Sequence, residues 1–333
     1  MRIFFALIVE VSNVREKLII DGKATIFADN INAYLLDAPN VFVGHRSKPL
    51  CDVPPMGIGN KPIDGGYYLF TADEMEEFIR REPRAQKYFR RWYGGEEFLN
   101  GKIRFCLWLG DATAEEINSM PLCAERVEAV RRFRLSSKSA GTRKIADKPT
   151  RFHVENMPTT DYIAIPVVSS ERRKYIPMGF MTPDILCSNQ LNLIPDAELF
   201  HFGVLMSSVH MLWTSTVCGR LKSDYRYSAT IVYNNFPWLT PTEPQYHEIR
   251  RSAKAILDAR ALYPSWTLAQ LYDPNKMPIE LRAAHEHNDR LIMELYHFDP
   301  SMTEIEIVTH LLLMYDELSE YVDQRRNQNE SAR

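Results

Sequence analysis

The sequence holds no apolar run approaching the roughly 18–20 residues that a membrane-crossing helix needs, and the expectation is a chain with no membrane partner. Five cysteines (Cys51, Cys106, Cys123, Cys187 and Cys218) are scattered and odd in number. No two have CxxC spacing, so neither a zinc knuckle nor a disulfide framework is indicated, and they read as reduced thiols of a cytoplasmic protein. The familiar catalytic signatures are missing too: there is no P-loop, no GxGxxG, no GxSxG and no HExxH. Gly57-Ile58-Gly59 lacks a third glycine and sits among prolines, away from any strand-to-helix turn. His285 and His287 are two apart on a predicted helix and point in different directions, and His201 and His210 read as core or surface histidines. The expected metal and cofactor sets for this chain are therefore none. The short apolar stretch Ile3–Val9 is followed at once by Glu10 and by no small-residue cleavage site, which favours a buried strand over a secretory signal.

What is present is an uneven charge distribution. The net charge is only −3, but Arg80–Arg151 carries 17 Lys/Arg against 9 Asp/Glu, whereas Pro241 onward carries 10 against 16. A basic region in a mildly acidic protein can offer a local patch to a polyanion. The plainer reading is a set of solvated helix faces whose charges neutralise each other.

Along the chain, Ile3–Val11, Lys17–Ile20, Ala24–Phe27 and Ile31–Leu36 read as strands, with Asp21-Gly22 marking a hairpin. Ala38–Gly66, rich in proline and glycine, reads as a functional surface loop. Thr71 to Glu74 is a capping box; Pro83 interrupts the helix behind it and starts another that ends near Gly94-Gly95. Phe105–Leu109 reads as a buried strand, and Thr113 to Glu116 caps a short helix. Pro121–Ser137 reads as a longer helix with Leu122, Val127, Val130 and Phe133 inward and Arg126, Arg131, Arg132 and Arg134 largely outward. Tyr162–Val168, Tyr175–Phe180, Leu191–Ile194 and Thr230–Tyr233 read as strands. Gly203–Val217 reads as one buried helix with Gly219 capping its end. Three helices close the chain: Thr242–Leu262, Pro278–His297, which stacks Leu281, Ala284, Asn288, Leu291 and Leu295, and Thr303–Val322. The first and last begin with capping boxes at Thr242–Gln245 and Ser301–Glu304, and a polar frayed tail is expected from Asp323.

Two segments are dense in directional donors and acceptors. Ser169-Ser170-Glu171-Arg172-Arg173-Lys174-Tyr175 lies between predicted strands. Gly219-Arg220-Leu221-Lys222-Ser223-Asp224-Tyr225-Arg226-Tyr227 follows a buried helix. Arginine can give two parallel hydrogen bonds to guanine or phosphate, lysine binds phosphate as a point charge, and a carboxylate accepts from cytosine. Loops mixing both signs suit base readout; the alternative is two turns held by salt bridges and serine caps. Asn234-Asn235-Phe236-Pro237-Trp238 loosely matches the Asn-Pro-Pro-aromatic motif of amino-methyltransferases. It lacks the paired prolines and a glycine-rich cofactor strand, and reads as a structural junction.

At these segments the sequence resembles the carboxy-terminal part of the MmeI-like family of type IIL bifunctional restriction–modification proteins. The matching stretches are Ala28–Leu35, Asp64-Gly65-Gly66, Arg104–Leu109, Arg126-Val127 with Val130-Arg131, Val168–Pro177, Cys218–Ser228, Tyr233–Trp238 and Leu271–Pro274 through Met277-Pro278. They occur in family order and span about residues 20–298. The resemblance implies sequence-specific binding of double-stranded DNA, with base flipping, adenine-N6 methyl transfer and cleavage performed by parts not in this sequence. S-adenosylmethionine, and magnesium for cleavage, would belong to those parts, which a separately encoded methyltransferase/nuclease polypeptide could supply. Met1 would then open a split subunit or a decayed fragment. The stretch His153–Pro158 departs from the family pattern, which tends to place Gln or Arg before the proline.

The expected fold is α+β: a remnant of the last methyltransferase strands (1–38), a mixed α/β target-recognition domain (39–238) and a C-terminal helical domain (239–333). Expected DNA contacts are Arg151, His153, Asn156, Glu171, Arg172, Arg173, Arg220, Lys222, Asp224, Tyr225 and Arg226, with no catalytic residue among them. The alternatives are a solitary diverged methyltransferase or nuclease, or an inert fragment of one.

Overall fold

In the computed structural model, which describes residues 17–21 and 24–331, strands β1 (Lys17–Asp21) and β2 (Ala24–Ala28) form the expected antiparallel pair, Lys17 opposite Ala28. The strand expected over Ile3–Val11 lies outside the described residues. Ile31–Leu36 is a turn and not a strand: Asn32 Oδ1 accepts from the Tyr34 and Leu36 amides, and a single bridge joins Ile31 to Asp37. The proline-rich stretch after it is not the free surface loop its composition suggests. Val41 is buried, Leu50, Val53 and Met56 pack on the main core, and β3 (Gly57–Ile58) joins a sheet. The stretch is held by Asn234 Nδ2 donating to Arg46 O (2.8 Å), Asn235 Nδ2 to Gly44 O (2.9 Å) and Tyr233 OH to Pro54 O (2.7 Å). Asn234–Trp238 is thus a structural junction, as its sequence suggests.

Beyond β4 (Leu69–Phe70), α1 (Ala72–Arg81) starts with the predicted box, Glu74 N donating to Thr71 Oγ1 and Thr71 N to Glu74 Oε2. Pro83 opens only a 3-10 turn, Pro83–Tyr88, and the expected helix gives way to strand β5 (Phe89–Tyr93). Then come α2 (Gly95–Asn100), β6 (Phe105–Leu107), α3 (Ala114–Asn118) with its Thr113–Glu116 box, α4 (Pro121–Leu135) and α5 (Ala140–Lys144). β5 forms because it is paired on both sides, antiparallel to β6 and parallel to Ile185–Cys187 far along the chain. Trp92, Trp108 and Phe152 are buried in one cluster there, Trp108 and Phe152 with ring centres 4.6 Å apart.

Arg134 corrects the sequence reading of α4. It is fully buried, and its guanidinium donates to the carbonyls of Pro62, Ile63, Ile145, Lys148 and Arg151 at 2.7–2.9 Å. Phe133, expected inward, is 40% exposed.

A second sheet uses β7 (Tyr162–Pro166), whose chain continues into the short β8 (Val168–Ser169), together with β9 (Gly179–Met181) and β11 (Leu191–Pro195); β10 is the Ile185–Cys187 strand already met. Its order is β3-β11-β7-β9, all antiparallel. Of the expected strand Tyr175–Phe180 only the last two residues pair; Tyr175–Met178 are buried outside any strand. β7 is buried on both faces, which explains its unbroken apolar run. Ile163 and Ile165 join the helical core, and Tyr162 and Ala164 pack with Phe98, Cys187 and Leu193.

The single helix expected over Gly203–Val217 is two, α6 (Leu199–Leu205) and α7 (Ser208–Val217), because Ser207 Oγ accepts from His210 N and starts a new N-terminus. Gly219 does not cap α7; Cys218 N closes it on Thr214 O, and Gly219 already pairs as a strand. Thr230–Tyr233 is part of a π-helical turn, Ala229–Tyr233, and not a strand. Its carbonyls are claimed from outside: Thr230 O by Arg46 N, and Val232 O by Trp213 Nε1. The closing helices are α8 (Glu243–Ala261), the short α9 (Leu268–Leu271), α10 (Ile279–Leu295) and α11 (Glu304–Ser331). α11 is capped by Thr303 with Glu306, not Ser301 with Glu304, and continues past the expected fraying point. One buried cluster runs from Ile163 through Trp213 and Ile249 to Leu311, so the helical tail and the second sheet share a core.

Asn288 shows how that core accepts a polar residue in an apolar stripe. Its Nδ2 donates to Gly203 O (2.8 Å) and its Oδ1 accepts from Ser252 Oγ (2.8 Å), tying α10 to α6 and α8. Gly203 permits this approach: an added Cβ would lie 2.8 Å from Ile249 Cγ2 and 3.2 Å from Asn288 Oδ1. Overpacking of this kind costs about 1–3 kcal/mol, against about 1 kcal/mol gained in helix propensity. Gly203→Ala is therefore expected to lower the urea midpoint of unfolding; a raised midpoint would mean that the helices part without cost.

Candidate nucleic-acid interface

The two donor-rich segments, distant in sequence, meet in one sheet. β12 (Gly219–Leu221) turns back through Lys222-Ser223 into β13 (Asp224–Arg226), and β13 pairs antiparallel with β8, Tyr225 opposite Ser169 and Arg226 opposite Val168. The seam is closed by Glu171 N donating to Asp224 Oδ1 (3.3 Å) and by Tyr227 N donating to Val167 O (2.8 Å). Behind it, Tyr227 is buried with its hydroxyl 2.9 Å from His210 Nε2, which pins the hairpin to α7.

Within this surface the side chains divide by what already holds them. Arg220 stacks on Tyr225, 4.3 Å from the ring centre, and its two terminal nitrogens donate to Ser223 O (3.1 Å) and Ser215 O (3.0 Å), so it braces the hairpin against the end of α7. Arg173 is half-buried with Nη1 3.5 Å from Ser169 Oγ; burial pulls its pKa down while Asp224 and Asp273 oppose that. Burial also raises the Tyr225 phenol, against the pull of Arg220. Arg172, Lys222 and Arg226 are exposed, with Glu171 and Asp224 half-exposed between them. Lys222 sits at φ +57°, a left-handed conformation costing a non-glycine residue about 1–2 kcal/mol, and it stands at the hairpin apex. Beside it Leu221 is 52% exposed, an apolar side chain among cations that residue-type reasoning passed over.

Arg151, His153 and Asn156 lie elsewhere, along the irregular segment that bridges to Lys61 through Val154. Arg151 pairs with Glu155 and lies over Trp108, 5.3 Å from its ring centre. Asn156 uses its side-chain amide on Ile58 O (2.7 Å) and its backbone N–H on Asn60 Oδ1 (2.9 Å), which is a bracing role for β3. His153 is exposed. The structure thus unites the residues of the two donor-rich segments and leaves this trio on a separate edge.

Among the described residues, no group of three or more His, Cys, Asp or Glu lies placed to hold a metal, and no helix is long and apolar enough to cross a membrane. Nor does the chain fold Gly57-Ile58-Gly59 into a nucleotide cradle: a Cβ on Gly59 would meet Ser188 O at 2.3 Å, so that glycine serves a close backbone approach.

A mixed α/β body bearing a charged hairpin sheet is closed by a helical tail that shares its core. The family models for the MmeI target recognition domain and the MmeI C-terminal domain match residues 37–240 and 242–322, and the chain belongs to that family. It is similar to the Type IIL restriction-modification enzyme MmeI, solved in complex with DNA, with 44% identity and a TM-score of 0.89 over 93% of this chain and 42% of that one. It is 40% identical over 309 residues to DNA methyltransferase A of Bacillus subtilis (strain 168), covering 93% of this chain and 35% of that protein. The chain spans well under half the length of either relative.

Proposed function

We propose that this chain reads the sequence of duplex DNA for an adenine-N6 methyltransferase of a restriction–modification system. The carrying observation is the union of Ser169–Lys174 with Gly219–Arg226 in one surface sheet, where exposed cations lie among two half-exposed carboxylates, Glu171 and Asp224. Phosphate attraction alone would need only cations; discrimination among base edges needs donors and acceptors in fixed register. Glu171, Arg172, Arg173, Lys222, Asp224, Tyr225 and Arg226 form this reading face with Arg220 bracing it, and Arg151, His153 and Asn156 are assigned DNA contacts on their separate edge. The likeness to an enzyme solved on DNA supports the reading. On this reading residues 1–38 would be a remnant of the last methyltransferase strands, 39–238 the target-recognition domain and 239–333 the helical domain. Methyl transfer with S-adenosylmethionine, and cleavage with magnesium, are then assigned to a partner methyltransferase/nuclease polypeptide or domain acting with this one in the cytoplasm.

The test is fluorescence anisotropy of the chain on duplexes enriched by selection. Arg172→Ala is expected to weaken binding and to relax preference at one base position, since a bidentate arginine carries about 1–3 kcal/mol of discrimination. Undiminished affinity with unchanged preference would remove Arg172 from the reading face.

A further inference from the structure

The structure holds a second charged surface that the hairpin sheet does not include. From Ala129 to Arg151 the chain carries eight Lys/Arg against a single acidic residue, Asp147. Arg134 is buried, and the other seven cations are exposed. Among the described residues, Arg132, Lys138, Arg143, Lys144 and Lys148 make no salt bridge, whereas Arg131 approaches Glu128 at 3.7 Å and Arg151 pairs with Glu155. Self-neutralisation, the plain reading of the charge count, therefore fails for most of this segment.

The cations are also held in place. The Arg134 guanidinium, by donating to Ile145 O, Lys148 O and Arg151 O from within α4, fixes the end of that helix against α5 and the turn after it. Its bonds to Pro62 O and Ile63 O fix the same assembly to the strand-bridging segment at Lys61. Arg143 Nη1 adds bonds to Ser137 O (2.8 Å) and Lys138 O (2.9 Å). A buried cation thus organises a rigid display of exposed ones, an arrangement that raises like-charge repulsion unless an extended polyanion lies across it. Asp147 is the single carboxylate among these cations, whereas the hairpin sheet sets two, Glu171 and Asp224, among its own.

We propose that residues 131–148 form a sequence-independent clamp for the DNA phosphate backbone, acting in addition to the reading face. This rests on the reading of the chain as a duplex-binding module. It deepens that reading by dividing the labour: the hairpin sheet discriminates, and the platform supplies salt-sensitive affinity.

The experiment compares the unaltered chain with a Lys138→Ala, Lys144→Ala, Lys148→Ala variant on a mixed-sequence duplex and on the preferred duplex across a salt series. All three side chains are exposed, and a coincident thermal melt checks that the fold is kept. The expected result is a slope of log K against log salt shallower by about 2–3, and binding weaker by about 10-fold or more at low salt, equally on both duplexes. Salt-dependent binding with an unaltered slope in the variant overturns the clamp and leaves the reading face standing. A loss confined to the preferred duplex overturns it too, because it would make these lysines base readers. No duplex binding by the unaltered chain at low salt overturns both readings together.

Discussion

Arg134→Met should unfold the α4–α5 region at denaturant concentrations that leave Arg132→Met unaffected. The five carbonyls that Arg134 satisfies belong to three separate segments, Pro62-Ile63, Ile145–Lys148 and Arg151. Methionine keeps much of the side-chain volume and supplies no donor, so those acceptors lose their partner in a site where water is largely excluded. Hydrogen bonds to a charged group contribute about 1.5–3 kcal/mol each and do not add fully; a loss on the order of 4 kcal/mol or more is expected, a large share of the about 5–15 kcal/mol that holds a domain together. Arg134→Lys should fall between, because an ammonium has three donors and cannot span five acceptors. Arg132, two residues earlier and exposed, is the control, expected within about 0.5 kcal/mol of the unaltered protein. The readout is the urea midpoint together with proteolysis of residues 136–150. Equal midpoints for Arg134→Met and Arg132→Met would show that the carbonyl hub is not holding the platform.

Arg134 also marks where sequence reading reaches its limit. Cys123, Val127, Val130 and Arg134 recur at intervals of four and three, so spacing alone puts Arg134 on the buried face. Residue type argued the other way, and residue type was the wrong guide: a guanidinium can be buried when backbone carbonyls surround it, and those carbonyls come from segments whose approach no local pattern reveals. β5 was hidden for a related reason. Pro83 suits the first turn of a helix, and nothing within Phe89–Tyr93 announces a parallel partner at Ile185–Cys187. Thr230–Tyr233 has strand-forming side chains, yet its carbonyls are captured by Arg46 and Trp213 from elsewhere in the chain. The caps at Thr71, Thr113 and Thr242 were legible because all of their chemistry lies within four residues. The candidate site stood between these cases. Its two segments were legible as donor-rich loops, but their union across β8 and β13 was not, since the pairing of Tyr225 with Ser169 is a tertiary fact. Asn156 and Arg220 were legible as polar donors and not as braces, because what they touch is backbone.

Acidification should cost this protein stability well above the carboxylate range, and two buried histidines set the sign. His210 is fully buried against Tyr227, and burial pulls its pKa down to about 3. His285, equally buried, is held between Tyr272 OH (2.8 Å) and Met206 O (3.3 Å) and stacks on Tyr175; burial and then Arg260 pull it well below its ordinary value, the Met206 carbonyl opposing. Both are neutral in the folded protein, whereas in the unfolded chain they titrate near 6.5. Below that value the unfolded state takes up protons that the folded state refuses, so stability is complete above it and falls as pH falls. Each histidine contributes a slope approaching about 1.4 kcal/mol per pH unit, and moving from about pH 7 to about pH 5.5 is expected to remove about 2–3 kcal/mol in all. Asp289, which accepts from Tyr175 OH and Ser208 N, is raised by burial and acts with the opposite sign. It offsets part of the histidine effect, and comparison with a histidine variant isolates the imidazole contribution. His285→Gln keeps a hydrogen-bonding side chain and removes the titration, and should lose about half of the pH dependence measured by urea midpoints at the two values. An undiminished dependence would mean that His285 is protonated in the folded state.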